Sequence, residues 1–203
     1  MSELLNPSSA GGRPLFVANG FLPIPIPLEQ VVKVYRQYGF DARAVPFKIS
    51  DMRDTAVYAE SIGALAREAT IRSGKKTTIV GISMGGVATL YGLKFLGFHY
   101  HIDTLLALGS PFHGSPIAFC GSLSVLFRKT GKQLCQNSPF LKIVRQAPMP
   151  PKVRLISIGG SYDFISPPPT TDIPEAENHL WEFGHHETIL PNLHHEAAHL
   201  ILK

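Results

Sequence analysis

The chain has 203 residues, 44% of them hydrophobic and 17% charged, with a formal net charge of +4. That balance describes a core-rich globular protein of one domain, residues 1–203, and excludes a disordered chain. The mild charge, without dense basic and aromatic clustering, also argues against a nucleic-acid binder.

Residues 1–10 lack the basic start and apolar core of a signal peptide, and no apolar run is long enough to span a bilayer. The expectation is a cytoplasmic protein without a transmembrane segment. Strand-like and helix-like segments then alternate, which predicts a parallel sheet covered on both faces. The first strand is expected over residues 14–18. A helix follows over 28–38, with Leu28, Val31, Val32 and Tyr35 at helical spacing and Gly39 as its stop. Residues 41–47 read as the second strand, and 54–73 as a long amphipathic helix closed by Gly74. The β-branched run 77–82 reads as a short buried strand, and Val87 to Leu93 carry helix-like content. Another strand is expected over 104–108.

Residues 111–151 break this rhythm, mixing Gly, Pro and Ser with apolar Leu123, Val125, Leu126 and Phe127. Arg128, Lys129, Lys132, Lys142, Arg145, Lys152 and Arg154 form a modest basic excess. It could favour peripheral contact with anionic lipid surfaces, and a solvated helix face is the plainer reading. Cys120 and Cys135 make no disulfide framework and fit reduced thiols, although one bridge between them is open. Strands over 153–158 and 180–183 and a terminal helix over 192–202 complete the chain, without internal repeat.

Between the strand at 77–82 and its helix lies Gly81-Ile82-Ser83-Met84-Gly85, a Gly-x-Ser-x-Gly turn. A serine on so sharp a turn takes strained φ/ψ and lifts its Oγ above the sheet. Gly81 and Gly85 flank it because a Cβ there would strike a neighbouring strand or helix. Serine is a weak nucleophile alone and needs a base and an oxyanion hole. The N–H of Met84, at the start of the helix, supplies one oxyanion donor. Asp163 follows a hydrophobic strand and the turn Gly159-Gly160-Ser161, at the carboxyl edge where open α/β sheets keep their chemistry. A buried carboxylate there can hold an imidazole Nδ1–H; the plainer alternative is a turn aspartate serving local N–H groups. Asp172, after Pro167, Pro168 and Pro169, has no strand before it and is the weaker choice of acid.

These segments, with Pro14 to Phe21 and Leu105 to Ser115, resemble the α/β-hydrolase fold, and within it the small lipases and lipase-like esterases. The order Ser83, Asp163, then histidine is the order of that fold. The resemblance implies a mostly parallel central sheet flanked by helices, with a short cap or acyl-binding insertion at about residues 111–151. It implies a serine hydrolase of carboxylic esters acting through a Ser-His-Asp triad and an acyl-enzyme, with no cofactor and a small-molecule or lipid ester as substrate. It makes the N–H of Phe21 the second oxyanion donor. Asn19 departs from the pattern, which usually has histidine before Gly20. An acyltransferase or thioesterase on the same triad, and a lipid-binding module without catalysis, are the alternatives.

The base lies in Gly184-His185-His186-Glu187-Thr188-Ile189-Leu190, after the last expected strand. Similar lipases show Gly-His-x-x-Leu-Leu. The glycine favours His185, whereas the apolar pair Ile189-Leu190 favours His186, which is the assignment made here. A rival motif, His195-Glu196-Ala197-Ala198-His199, matches the His-Glu-x-x-His of zinc proteases. Its third ligand would have to come from upstream, where no pattern offers one. The expectation is no catalytic metal: His194, His195, Glu196 and His199 form an exposed polar face able to take up zinc or nickel adventitiously, while Ala198, Leu200 and Ile201 face the sheet.

Overall fold

Arg13–Ala18 (β1), Phe40–Ala44 (β2), Thr77–Ile82 (β3), Ile102–Leu108 (β4), Arg154–Gly160 (β5) and Glu177–Trp181 (β6) form one six-stranded sheet. Its order is β2-β1-β3-β4-β5-β6, and every neighbouring pair is parallel. The computed structural model describes residues 11–21, 28–118, 127–182 and 191–203. Among them the helices are Leu28–Gln37 (α1), Ile49–Arg53 (α2), Thr55–Ser73 (α3), Met84–Phe95 (α4), Arg128–Leu134 (α5), Pro139–Gln146 (α6), Pro168–Thr171 (α7) and Pro191–Leu202 (α8). None of the described helices is long and apolar enough to cross a membrane.

Period-two alternation divides the strand residues between two cores. Leu15, Val17, Val80, Ile82, Leu106, Leu108, Ile156 and Ile158 pack with Val31, Val32 and Tyr35 of α1 and Ala197, Ala198 and Ile201 of α8. Phe16, Ala18, Ile79, Leu105, Ala107 and Leu155 face the other way, onto α3 and α4. The central strands are buried on both faces, so they read as continuous apolar runs. The winding reverses between β1 and β3, because β2 lies to one side of β1 and all later strands to the other. The carboxyl ends of β1 and β3 therefore flank the crevice where open α/β sheets bind ligands.

Several boundaries differ from expectation for local reasons. The last strand starts at Glu177 rather than 180, because β6 is an exposed edge and needs no apolar face. The second strand stops at Ala44, before Pro46, and the short α2 follows. There the Asp51 carboxylate accepts from the Lys48 N–H at 2.7 Å and from Ser61 Oγ at 2.9 Å. Gly74 closes α3 as read, with φ 69°, while Asp54, read as its first residue, is instead its N-cap and accepts from the Ala56 N–H at 3.0 Å.

The described part of residues 111–151 buries Phe112, Leu134, Leu141 and Val144 in the core and makes polar contacts with the start of α3. Gln133 of α5 donates to Asp54 at 2.8 Å and accepts from the Thr55 N–H at 3.0 Å, while Lys129 pairs with the same Asp54. Burial pushes the Asp54 carboxyl up, but hydrogen bonds from Lys129, Gln133 and Ala56 outweigh it and hold the group below its usual range. Arg145 of α6 donates to the Phe112 carbonyl at 2.8 Å, and Arg154 pairs with Glu177 through two hydrogen bonds of 2.6 and 2.8 Å. The basic stretch is thus partly committed to internal contacts and is not simply a solvated face.

Helices α3 and α4 meet over Phe98, whose ring occupies the space that a Cβ on Gly63 or on Gly92 would need. Gly92→Ala should therefore cost about 1–3 kcal/mol by overpacking. Phe98→Leu in the same chain should recover part of that loss, giving non-additive melting temperatures in a double-mutant cycle. Equal and additive losses would show that the ring and the helix crossing are not coupled.

Candidate active site

Ser83 stands between the last residue of β3 and the first of α4, with φ 53° and ψ −119°. For a residue with a Cβ this is strained backbone, of order 1–3 kcal/mol. Its N–H donates to the Leu108 carbonyl of β4 at 2.8 Å, and its carbonyl accepts from the Gly86 N–H at 3.1 Å. A Cβ on Gly81 would come to 2.5 Å from the Gly86 backbone, and one on Gly85 would strike the Ala18 and Asn19 carbonyls after β1. The two flanking glycines thus serve the steric purpose expected of them: helix, β3 and the turn after β1 touch backbone to backbone.

That turn also covers the serine. A Cβ on Gly20 would lie 2.9 Å from Ser83 Cβ and 3.5 Å from its Oγ. Ser83 is consequently only 7% exposed, more enclosed than the sequence suggested. Asn19 turns its Oδ1 onto the Gly20 N–H at 2.8 Å, so the asparagine that replaces histidine braces the turn by a local bond. Phe21 follows directly, half-buried, its ring edge-on to Phe127 at 5.3 Å between centroids. Met84, the first residue of α4, is fully buried. Its N–H is one of the four that a helix start leaves without an intrahelical partner, and it lies at the positive end of the helix dipole.

Asp163 lies just past the end of β5, on the same carboxyl edge, and is 4% exposed. Its Oδ1 accepts from the Ile165 N–H at 2.8 Å and the Ser166 N–H at 2.7 Å. The turn role considered for this aspartate is therefore real. It is compatible with a second role, since a carboxylate accepts at both oxygens. Asp172 is exposed, and its carbonyl meets His113 Nε2 at 3.0 Å. His113 is itself exposed, and burial and the nearby Arg145 lower its pKa. His185 and His186 lie outside the described residues, as does Cys120. Cys135 is half-buried, which pushes its thiol up.

The terminal helix differs from the exposed polar face expected of it. His194 is fully buried, with Nδ1 at 2.8 Å from the Tyr35 hydroxyl of α1 and the two rings edge-on at 5.5 Å. Burial pushes the Tyr35 phenol well up, so it stays protonated. Helix α8 presents this residue inward with Ala197, Ala198 and Ile201, a helical stripe that hydrophobicity alone does not reveal. Glu196 and His199 are exposed as expected, and His195 is half-buried. Among the described residues no group of three or more His, Cys, Asp and Glu side chains gathers to hold a metal.

No protein-family model matches the sequence, and no curated protein matches it. Solved structures do match. Bacillus licheniformis lipase BlEst2 in mature form aligns with a TM-score of 0.77 at 18% identity, covering 100% of this chain and 96% of that one. The metagenomic carboxyl esterase MGS0156 aligns with a TM-score of 0.65 at 16% identity, over 87% of this chain and 64% of that one. For the monoacylglycerol lipase of Paleococcus ferrophilus the TM-score is 0.63 at 12% identity, over 95% and 94%. The chain has the lipase-like α/β-hydrolase fold, with its sheet parallel throughout.

Strain at Ser83 has a measurable consequence. Ser83→Gly should raise the melting temperature by about 2–4 °C, since relief of a left-handed Cβ exceeds the entropy that glycine adds to the unfolded chain. Ser83→Ala keeps the Cβ and should give no such rise. Equal melting temperatures for the two variants would show that the turn stores no strain.

Proposed function

We propose that the protein hydrolyses carboxylic esters with Ser83 as nucleophile. The observation that carries this reading is the left-handed Ser83 at the carboxyl end of β3, set at the start of α4 and against the turn after β1. Such a turn holds an Oγ where a helix N-terminus can stabilise negative charge. The buried Asp163 on the same edge is the acid of the proposed triad, and His186 its base.

In this mechanism Ser83 Oγ attacks the acyl carbon while His186 takes its proton. The N–H groups of Phe21 and Met84 hold the tetrahedral oxyanion, each such donor contributing about 3 kcal/mol to transition-state binding. Asp163 orients the imidazole and stabilises its protonated form. Collapse of the intermediate expels the alkoxide, which receives the proton from His186. A water, deprotonated by the same histidine, then attacks the acyl-enzyme; its collapse returns the proton to Ser83 and releases the carboxylic acid. The contact between Phe21 and Phe127 supports residues 111–151 as a cap-like, acyl-binding insertion of a single domain, with an apolar wall beside the nucleophile.

A fluorophosphonate probe should label wild-type protein at Ser83, and the label should survive a chelator. Ser83→Ala should lose labelling and p-nitrophenyl ester hydrolysis together, while its thermal melt stays cooperative. More than a few per cent of wild-type turnover in that variant, with contaminants excluded, would remove Ser83 from the mechanism. Activity that falls in EDTA and returns with zinc, at a temperature where the stripped chain stays fully folded, would instead favour metal-dependent hydrolysis.

The base is tested by a pair of variants. His186→Ala should lower kcat by several orders of magnitude, and His185→Ala by far less. The opposite result would transfer the role to His185 and leave the rest of the triad standing.

A further inference from the structure

The motif His195-Glu196-Ala197-Ala198-His199 has no part in the ester chemistry, yet its two imidazoles converge on one atom. Residues 195 and 199 lie one turn apart on α8, hence on one face. Tyr38, just after α1, brings its hydroxyl to 3.1 Å from His195 Nδ1 and 3.3 Å from His199 Nε2. A phenol has a single proton, so it can donate to one ring and must accept from the other. The same spacing has a second meaning. Donors that share a tetrahedral zinc ion, at bonds of about 2.0–2.1 Å, lie about 3.3 Å from one another.

We propose that Tyr38 Oη, His195 Nδ1 and His199 Nε2 form a binding site for a divalent transition ion of the zinc class, with water as the fourth ligand and the Tyr38 phenol proton released to solvent on uptake. Imidazole nitrogen suits zinc, copper and nickel, and zinc imposes the least geometric demand of its own. The donors are held in place beforehand. One step inward, the buried Tyr35–His194 hydrogen bond of 2.8 Å joins the same two helices, so little ordering accompanies uptake. Arg154 fixes the far end of α8 by donating to the Leu200 carbonyl at 2.8 Å. Tyr38 and His195 are half-buried and His199 is exposed, which leaves an entry path and room for water.

The site is remote from the nucleophile. Tyr38 precedes the first residue of β2 by two positions, so it stands at the amino edge of the sheet, and Ser83 stands at the carboxyl edge. An ion here ties the end of α1 to the terminal helix and takes no part in the ester chemistry. Because it binds the folded chain, it stabilises that chain in proportion to its occupancy.

The experiment is calorimetric titration of the untagged, EDTA-stripped full chain with zinc chloride, paired with thermal melts. One saturable site with micromolar affinity and a melting temperature that rises by several degrees are expected. His199→Ala should abolish both effects, and Tyr38→Phe, which keeps the ring packing, should weaken binding at least about tenfold. Melts without zinc verify that each variant folds; should His199→Ala fail, His199→Gln replaces it. Absence of saturable uptake, uptake unchanged in the His199 variant, or uptake unchanged in Tyr38→Phe would each overturn the site.

Discussion

Backbone-to-backbone contact between β1, β3 and α4 is the constraint on which the rest of the molecule depends. The Gly86 backbone fills the space beside Gly81, and the Ala18 and Asn19 carbonyls fill the space beside Gly85. Any side chain at these positions would push the helix off the sheet or move the turn after β1. With them absent, Ser83 is held in strained backbone by bonds to β4 and to its own helix, at the reversal point of the sheet. Strain of this kind persists only where the surroundings over-determine it. Three strands and a helix do so here.

The same closeness explains why the serine is enclosed. The turn after β1 rests on Ser83, so that turn, the serine and the start of α4 form a single rigid unit. The described part of residues 111–151 joins the molecule through both apolar and polar side chains. Its helices α5 and α6 bury Leu134, Leu141 and Val144 in the core, while Gln133 and Lys129 reach Asp54, the cap of α3.

Much of this was readable in the amino-acid order wherever a residue type has one steric use. The doubly buried strands announce themselves as β-branched runs, Gly74 as the stop of α3, and the Gly-x-Ser-x-Gly turn by its place between strand and helix. The position of Asp163 on the carboxyl edge could be read because it follows a hydrophobic strand. Features set by context were not legible. The edge strand β6 begins with Glu177, Asn178 and His179, since its outer surfaces meet water. Asn19 braces its turn through a bond to the next N–H, which depends on backbone geometry. Between His185 and His186 local spacing gives two contradictory anchors, the glycine before them and the apolar pair after.

The terminal helix shows why a polar residue deceives a reading based on hydrophobicity. His194 lies on the inward stripe with Ala197, Ala198 and Ile201 because Tyr35, buried on α1, offers a hydroxyl at hydrogen-bond distance. An isolated buried imidazole would cost several kcal/mol, and a partnered one costs far less. The partner lies 159 positions away in sequence, so no local pattern could announce it. Once His194 is turned inward, helical geometry sends His195 and His199 to the flank of α8, facing Tyr38. The placement of His195 and His199 beside Tyr38 thus follows from the inward turn of His194, held by one buried hydrogen bond between the first and last described helices.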